Sequence, residues 1–212
     1  MADADSDFSA LLAKHWQNAQ QEKVFFRTDP DGWKPDGKLA QWTPQAVARR
    51  DAFNSEVLAK LELIAPAQLS ADNQMSYRLF LYERQTEKAS FTYQDKYFPI
   101  NFLSGWHTYF AEAPANMAFL SAADYEQFLI SLADYPRFNR ENIALLKAGL
   151  AQGFVHYCES FKDYGETISQ HIVTQPEDSA LFDPFTRFPA QFSQQQKQTY
   201  IIKAKKLISE AV

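Results

Sequence analysis

Residues 43–64, TPQAVARRDAFNSEVLAKLELI, decide the fold class. Thr43 offers a hydroxyl to a first-turn N–H, and Pro44 stands at the first helical position, where its missing N–H costs nothing. Val47, Phe53 or Asn54, Val57, Leu61 and Ile64 then recur at the period of one helix face for about twenty residues. Ala65-Pro66 ends that helix and Ser70 caps the next. There Met75, Leu79 and Tyr82 are joined by Tyr77, Phe80 and Leu81, an apolar surface wider than one stripe that predicts a central helix. Upstream, Phe8, Leu11, Leu12, His15, Trp16 and Ala19 predict a helix over about 7–23 capped by Ser6.

The same pattern returns downstream. Ser121 and Asp124 form a weak capping box ahead of Tyr125, Phe128, Leu129 and Leu132. Pro136 is expected to open a further helix to about Gly153, carrying Ile143, Leu146 and Leu150. Residues 156–173, with Phe161, Tyr164, Ile168 and Ile172 on one side, are expected to pair with it antiparallel. Tyr200, Ile201, Ala204, Leu207, Ile208 and Ala211 mark a last helix over about 191–212. Three segments resist a helical reading: 24–42 and 174–189, both punctuated by prolines, and 89–114, where one short helix is expected around Gly105 to Glu112. The chain has only six glycines and no Asn-Gly pair, which disfavours hairpins. The expectation is all-α: one irregular multi-helix bundle over 1–212 with long aromatic-rich loops.

Composition narrows the function classes. Hydrophobic residues make up 46% of the 212 and charged residues 22%, which suits a globular core and not a disordered tail. A formal charge of -5 is the wrong sign for neutralising phosphates, so no nucleic-acid partner is expected. No run of about 18 apolar residues occurs, so no transmembrane segment is expected. Residues 1–10 carry Asp3, Asp5 and Asp7 with no basic or apolar region and predict no secretory leader. A chain from which one had been removed would read the same. Cys158 is the single cysteine, which excludes an internal disulfide and a multi-cysteine zinc site.

Candidate chemistry is sparse. None of His15, His107, His156 and His171 lies four residues from another, so the paired-histidine zinc motif of a helix is absent. His156, Glu159 and Asp163 could share a helix face, a spacing equally at home on any polar face. Cys158 is two residues from His156, a poor geometry for a nucleophile pair on a helix. A stand-alone hydrolase built on Cys158 or on His156 and Glu159 therefore ranks last. No Gly-x-Ser-x-Gly elbow or phosphate loop occurs. The aromatic content of 15% is the strongest oddity. Trp33, Trp42, Trp106, Tyr109 and Phe110 lie in irregular segments, where aromatics either plug loops onto a core or line a ligand groove. Trp106, His107 and Tyr109 are the ligand-binding candidates. No catalytic or metal-ligating residue is assigned.

From Phe98 onward the punctuation resembles a known family. Phe98-Pro99-Ile100-Asn101, Gly105, Ser121 to Tyr125, Leu132 to Pro136, and Lys147 to Val155 with Gly149 and Gly153 are similar to the N-terminal part of the bacterial domain-of-unknown-function family 885. Residues 42–81, including Ala65 to Ser70, are similar to that family's early helices. The resemblance implies a longer, secreted or lipid-anchored, periplasmic protein whose C-terminal part carries a zinc-peptidase-like His-Glu-x-x-Pro-Gly-His sequence. This chain contains no such sequence, so no zinc or other cofactor is expected in it, and zinc belongs to the part beyond it. It departs from the family again at His156-Tyr157-Cys158, where a proline is usual. The last helical stripe reaches Val212 without a Gly, Asn or Pro stop, which adds to the expectation that a longer chain continues. The resemblance thus implies an inert N-terminal region, part of the wall of a peptide-substrate cleft, partnered by the rest of its own polypeptide. The alternative is a self-contained helical module that binds a peptide or glycan through Trp106, His107 and Tyr109.

Overall fold

A computed structural model describes residues 3–22 and 37–212. The expected loop over 24–42 lies mostly outside the described residues, as does Trp33. Among the described residues the structure is all-α, with no strand beyond one isolated bridge between Ile100 and Gly105. The chain divides into two compact units, 3–22 with 41–97 and 37–40 with 98–212.

The first unit contains α1 (Ala4–Glu22), α2 (Pro44–Glu62) and α3 (Ala71–Thr92). α2 starts as its sequence dictates: Thr43 Oγ1 accepts from Ala46 N at 3.2 Å, and Pro44 opens the first turn. Phe8, Leu11, Val57, Leu61, Leu69, Tyr77 and Phe80 form the core. Burying each such side chain contributes ~1.5–3 kcal/mol before the entropy of ordering is set against it. Tyr77 keeps its hydroxyl satisfied by donating to Leu61 O at 3.0 Å. Buried Asn54 donates to Arg84 O and accepts from the Arg84 guanidinium.

Two expectations are corrected here. α1 begins at Ala4, so Ser6 lies inside it, and Asp3 instead accepts a first-turn N–H, from Asp5. Ser70 does not cap α3 with its own oxygen. Asp5, from α1, accepts from Ser70 N at 3.0 Å and from Asn73 Nδ2 at 2.7 Å. Those two bonds, Asn73's foremost, hold the Asp5 carboxyl below its ordinary value. α3 also buries a single face: Tyr77 and Phe80 are inside, whereas Met75, Leu79 and Tyr82 are exposed along one stripe at helical spacing.

The second unit is organised on α5 (Ala122–Ala151), with the short helices α4 (Trp106–Glu112) and α6 (Tyr164–Ser169), and with α7 (Gln194–Ala211) packed against α5. Pro136 does not open a new helix but lies inside α5. An interior proline forfeits one hydrogen bond at a cost of ~3 kcal/mol or more. Leu132, Tyr135 and Phe138, all buried around it, offset that loss through packing. α5 ends at Gly153, whose φ of +83° suits glycine: Phe154 N reaches Gly149 O and Gly153 N reaches Leu150 O. The expected helix over 156–173 breaks into a tight turn at Cys158–Phe161 and the six residues of α6. Gly165 falls at the start of α6 and lowers helix propensity there. No antiparallel partner for α5 results.

The short helix expected near Gly105 is α4. The segment 174–189 is not a plain loop: tight turns at Pro176–Asp178 and Ala180–Thr186 bury Leu181, Phe182 and Phe185. α7 starts at Gln194, later than expected, because Ser193 Oγ accepts from Gln196 N while Gln196 Oε1 accepts from Ser193 N. Tyr200, Ala204 and Ile208 form its buried stripe.

Candidate functional site

The second unit carries a partly open cavity of about 600 Å³, within the range that houses small organic ligands. α4 supplies Trp106, His107, Phe110 and Ala111; α5 supplies Tyr135, Asn139, Ile143 and Leu146; α6 and the residues after it supply Tyr164, Ile168, His171 and Ile172. Asp178, Ser179 and Leu181 complete the wall.

Local geometry fixes the aromatic wall. Asn101 Oδ1 accepts from Leu103 N and Ser104 N, closing a turn that delivers Gly105 to the start of α4. Gly105 N–H donates to Thr108 Oγ1, which in turn donates to Gly105 O. A Cβ at Gly105 would meet the Tyr164 hydroxyl at 2.6 Å and Ile100 Cγ2 at 2.8 Å. Absence of a side chain there lets the Tyr164 hydroxyl donate to Ser104 O at 3.1 Å. Burial, with Tyr109 nearby, pushes that phenol up to about 12, so it acts as a donor and not as a base. The Trp106 indole N–H donates to Asn139 Oδ1 at 2.8 Å, which pins its ring on the wall.

His107 touches Tyr164 and His171, with ring centroids 5.6 and 6.3 Å away. Its Nε2 lies 3.0 Å from Thr167 Oγ1, and that hydroxyl donates its proton to Tyr164 O. Nε2 of neutral His107 therefore carries the hydrogen. Burial, and secondarily His171, hold the His107 imidazole below its ordinary value, so it is neutral at pH 7. Nε2 of His171 is buried without a hydrogen-bond partner.

Of the three candidates, Trp106 and His107 line the cavity and Tyr109 does not. Tyr109 is 52% exposed, and its hydroxyl pairs with Ser104 Oγ at 2.9 Å. Sequence reasoning missed Asn139, Tyr164 and His171. Tyr164 is 57 residues beyond His107, and nothing local in the chain announces that the two meet.

The donor set does not fit zinc. Among the described residues no group of three or more His, Cys, Asp or Glu could hold a metal ion. His156 is wedged between Phe98 and Phe161, with centroids 5.1 and 4.4 Å away, and burial lowers its pKa. Glu159 is exposed beside Lys162, and Cys158 is an exposed free thiol. His107 spends Nε2 on Thr167. No helix among the described residues is long and apolar enough to cross a membrane.

Among the described residues the second unit is all-α and carries an aromatic-walled cavity. The chain belongs to the family described as bacterial protein of unknown function (DUF885), whose model matches residues 27–212. No curated protein and no solved structure matches it.

Proposed function

We propose that this chain forms a non-catalytic wall of the substrate cleft in a longer, metallopeptidase-like bacterial protein, and that the cavity of the second unit accommodates part of a peptide substrate. The observation that carries this reading is the apolar, aromatic cavity faced by Trp106 and His107 but by no set of converging metal donors. The metallopeptidase element rests on the resemblance alone, and zinc is assigned to a sequence outside this chain. Exposed apolar side chains such as Phe102, Leu103 and Ile172 suit docking of the remaining polypeptide. The resemblance also supports a periplasmic or lipid-anchored location, which fractionation of the native host would test.

The purified chain should bind short apolar peptides and cleave none, with or without added zinc. Trp106→Ala and His107→Ala should each weaken that binding about tenfold, which corresponds to ~1.4 kcal/mol. Stoichiometric zinc together with peptide hydrolysis by this chain would overturn the assignment. A self-contained peptide- or glycan-binding module is the second reading, favoured by the Trp106 ring on the cavity wall. That module would run as a single monodisperse species, whereas an exposed docking face promotes self-association.

A further inference from the structure

On the cleft reading, the lining of the cavity restricts the chemistry of what it holds. The walls are built from π faces and branched aliphatic chains: Trp106, Phe110, Tyr135 and Ile143 among them. The polar tips of Trp106 and Tyr164 are already occupied by Asn139 and Ser104. Among the described residues no lysine or arginine lines the cavity, and His107 is neutral at pH 7 because burial disfavours its charged form. Apart from the two imidazoles, Asp178 is the one ionisable acid or base other than phenols among the described lining side chains. It is exposed and has no ion-pair partner among the described residues. A carboxylate or phosphate entering this space would lose its water with no lysine or arginine among the described lining residues to meet it, and would also face Asp178. An ammonium would find a counter-charge there while the rest of the ligand left water.

We propose that the cavity takes a ligand with an uncharged aromatic or branched aliphatic body and a primary amine, the body against Trp106 and the ammonium at Asp178. In a peptide, that is an amino-terminal residue with a bulky apolar side chain. The volume of about 600 Å³ exceeds what one side chain fills, so a second apolar residue follows it in.

The test is calorimetric titration of the whole chain at neutral pH with three probes that share one body: phenylbutylamine, phenylbutanol and phenylbutyrate. The amine should bind about threefold tighter than the alcohol, the size of an exposed ion pair, and the butyrate should bind weakest. Asp178→Asn, a change at an exposed position, should bring the amine down to the alcohol and leave the alcohol unchanged. Ile168→Trp, which fills space from the half-exposed side, should weaken all three. Tightest binding by butyrate, or an amine preference that survives Asp178→Asn, overturns the ammonium site. Equal binding of amine and alcohol by the unaltered chain also overturns it but leaves the cleft reading standing. A folded chain that binds none of the probes and no apolar peptide defeats both.

Discussion

The two stretches of α5 put aromatic residues to opposite uses. Near its start, Tyr125 is fully buried and packed by Phe119, Phe185, Phe188, Phe192 and Tyr200, with ring centroids between 4.8 and 5.8 Å. Its hydroxyl donates to Arg187 O at 3.0 Å. Farther along, Tyr135 stacks on Phe110 at 4.2 Å, yet beyond that pair the wall faces open space bounded by Trp106, His107 and Tyr164. What separates the regions is closure. The segment 180–189 folds back and fills the Tyr125 side, whereas among the described residues the broken helix over 158–169 leaves a gap beside α4. An aromatic surplus therefore does not by itself distinguish a packed core from an open wall.

The largest break in that contrast should come from Phe128→Ala. Phe128 is fully buried against Phe119 and Phe185, and the change should cost ~3–5 kcal/mol, read by chemical denaturation. Gly105→Ala should cost ~1–3 kcal/mol, because the new Cβ displaces Tyr164 or Ile100. Unlike Phe128→Ala, it should also weaken apolar ligands; unchanged affinity in a destabilised Gly105→Ala protein would show that the Tyr164 wall does not bind. Tyr125→Phe should cost only ~0.5–1.5 kcal/mol, the worth of its hydroxyl bond, with no effect on ligand affinity.

The smallest effect is a pH dependence. Folding lowers the His107 pKa below the ordinary 6.5, so between those two values the unfolded chain binds more protons than the native one. Stability contributed by keeping this imidazole neutral is full above about pH 7 and is lost as the pH falls through the ordinary value toward the native one. A melting-temperature series should decline over that acidic window, and the decline should be shallower in His107→Gln. His156, lowered by burial alone, adds to the slope and remains as the residual in that variant.

Much of the fold is readable where local chemistry settles it. Thr43-Pro44, the pair Ser121 and Asp124, and the stripe Tyr200, Ala204, Ile208 all act within one or two turns of the chain. Failures arise where tertiary packing outweighs a local rule. Pro136 is a sound stop signal on its own, but buried neighbours on both sides carry α5 through it. The apolar spacing of Phe161, Tyr164, Ile168 and Ile172 implies one long helix, yet only the six residues of α6 form it, and Ile172 ends 78% exposed. The site is half legible for the same reason. Trp106 and His107 stand out as aromatics on a short irregular helix, while Tyr164 and His171 join them only through a long-range approach that Gly105 permits.

The carboxylate bridge from Asp5 to Ser70 and Asn73 couples the timing of two helices. The Ser70 N–H, at the entry to α3, borrows its acceptor from a residue 65 positions earlier, so that bond forms only once α1 has docked. The Ser70 amide proton should consequently exchange at the rate of α1 detachment and not at that of ordinary end fraying, and Asp5→Ala should release it. A single side chain of α1 thereby acts as the clasp on the entry to α3.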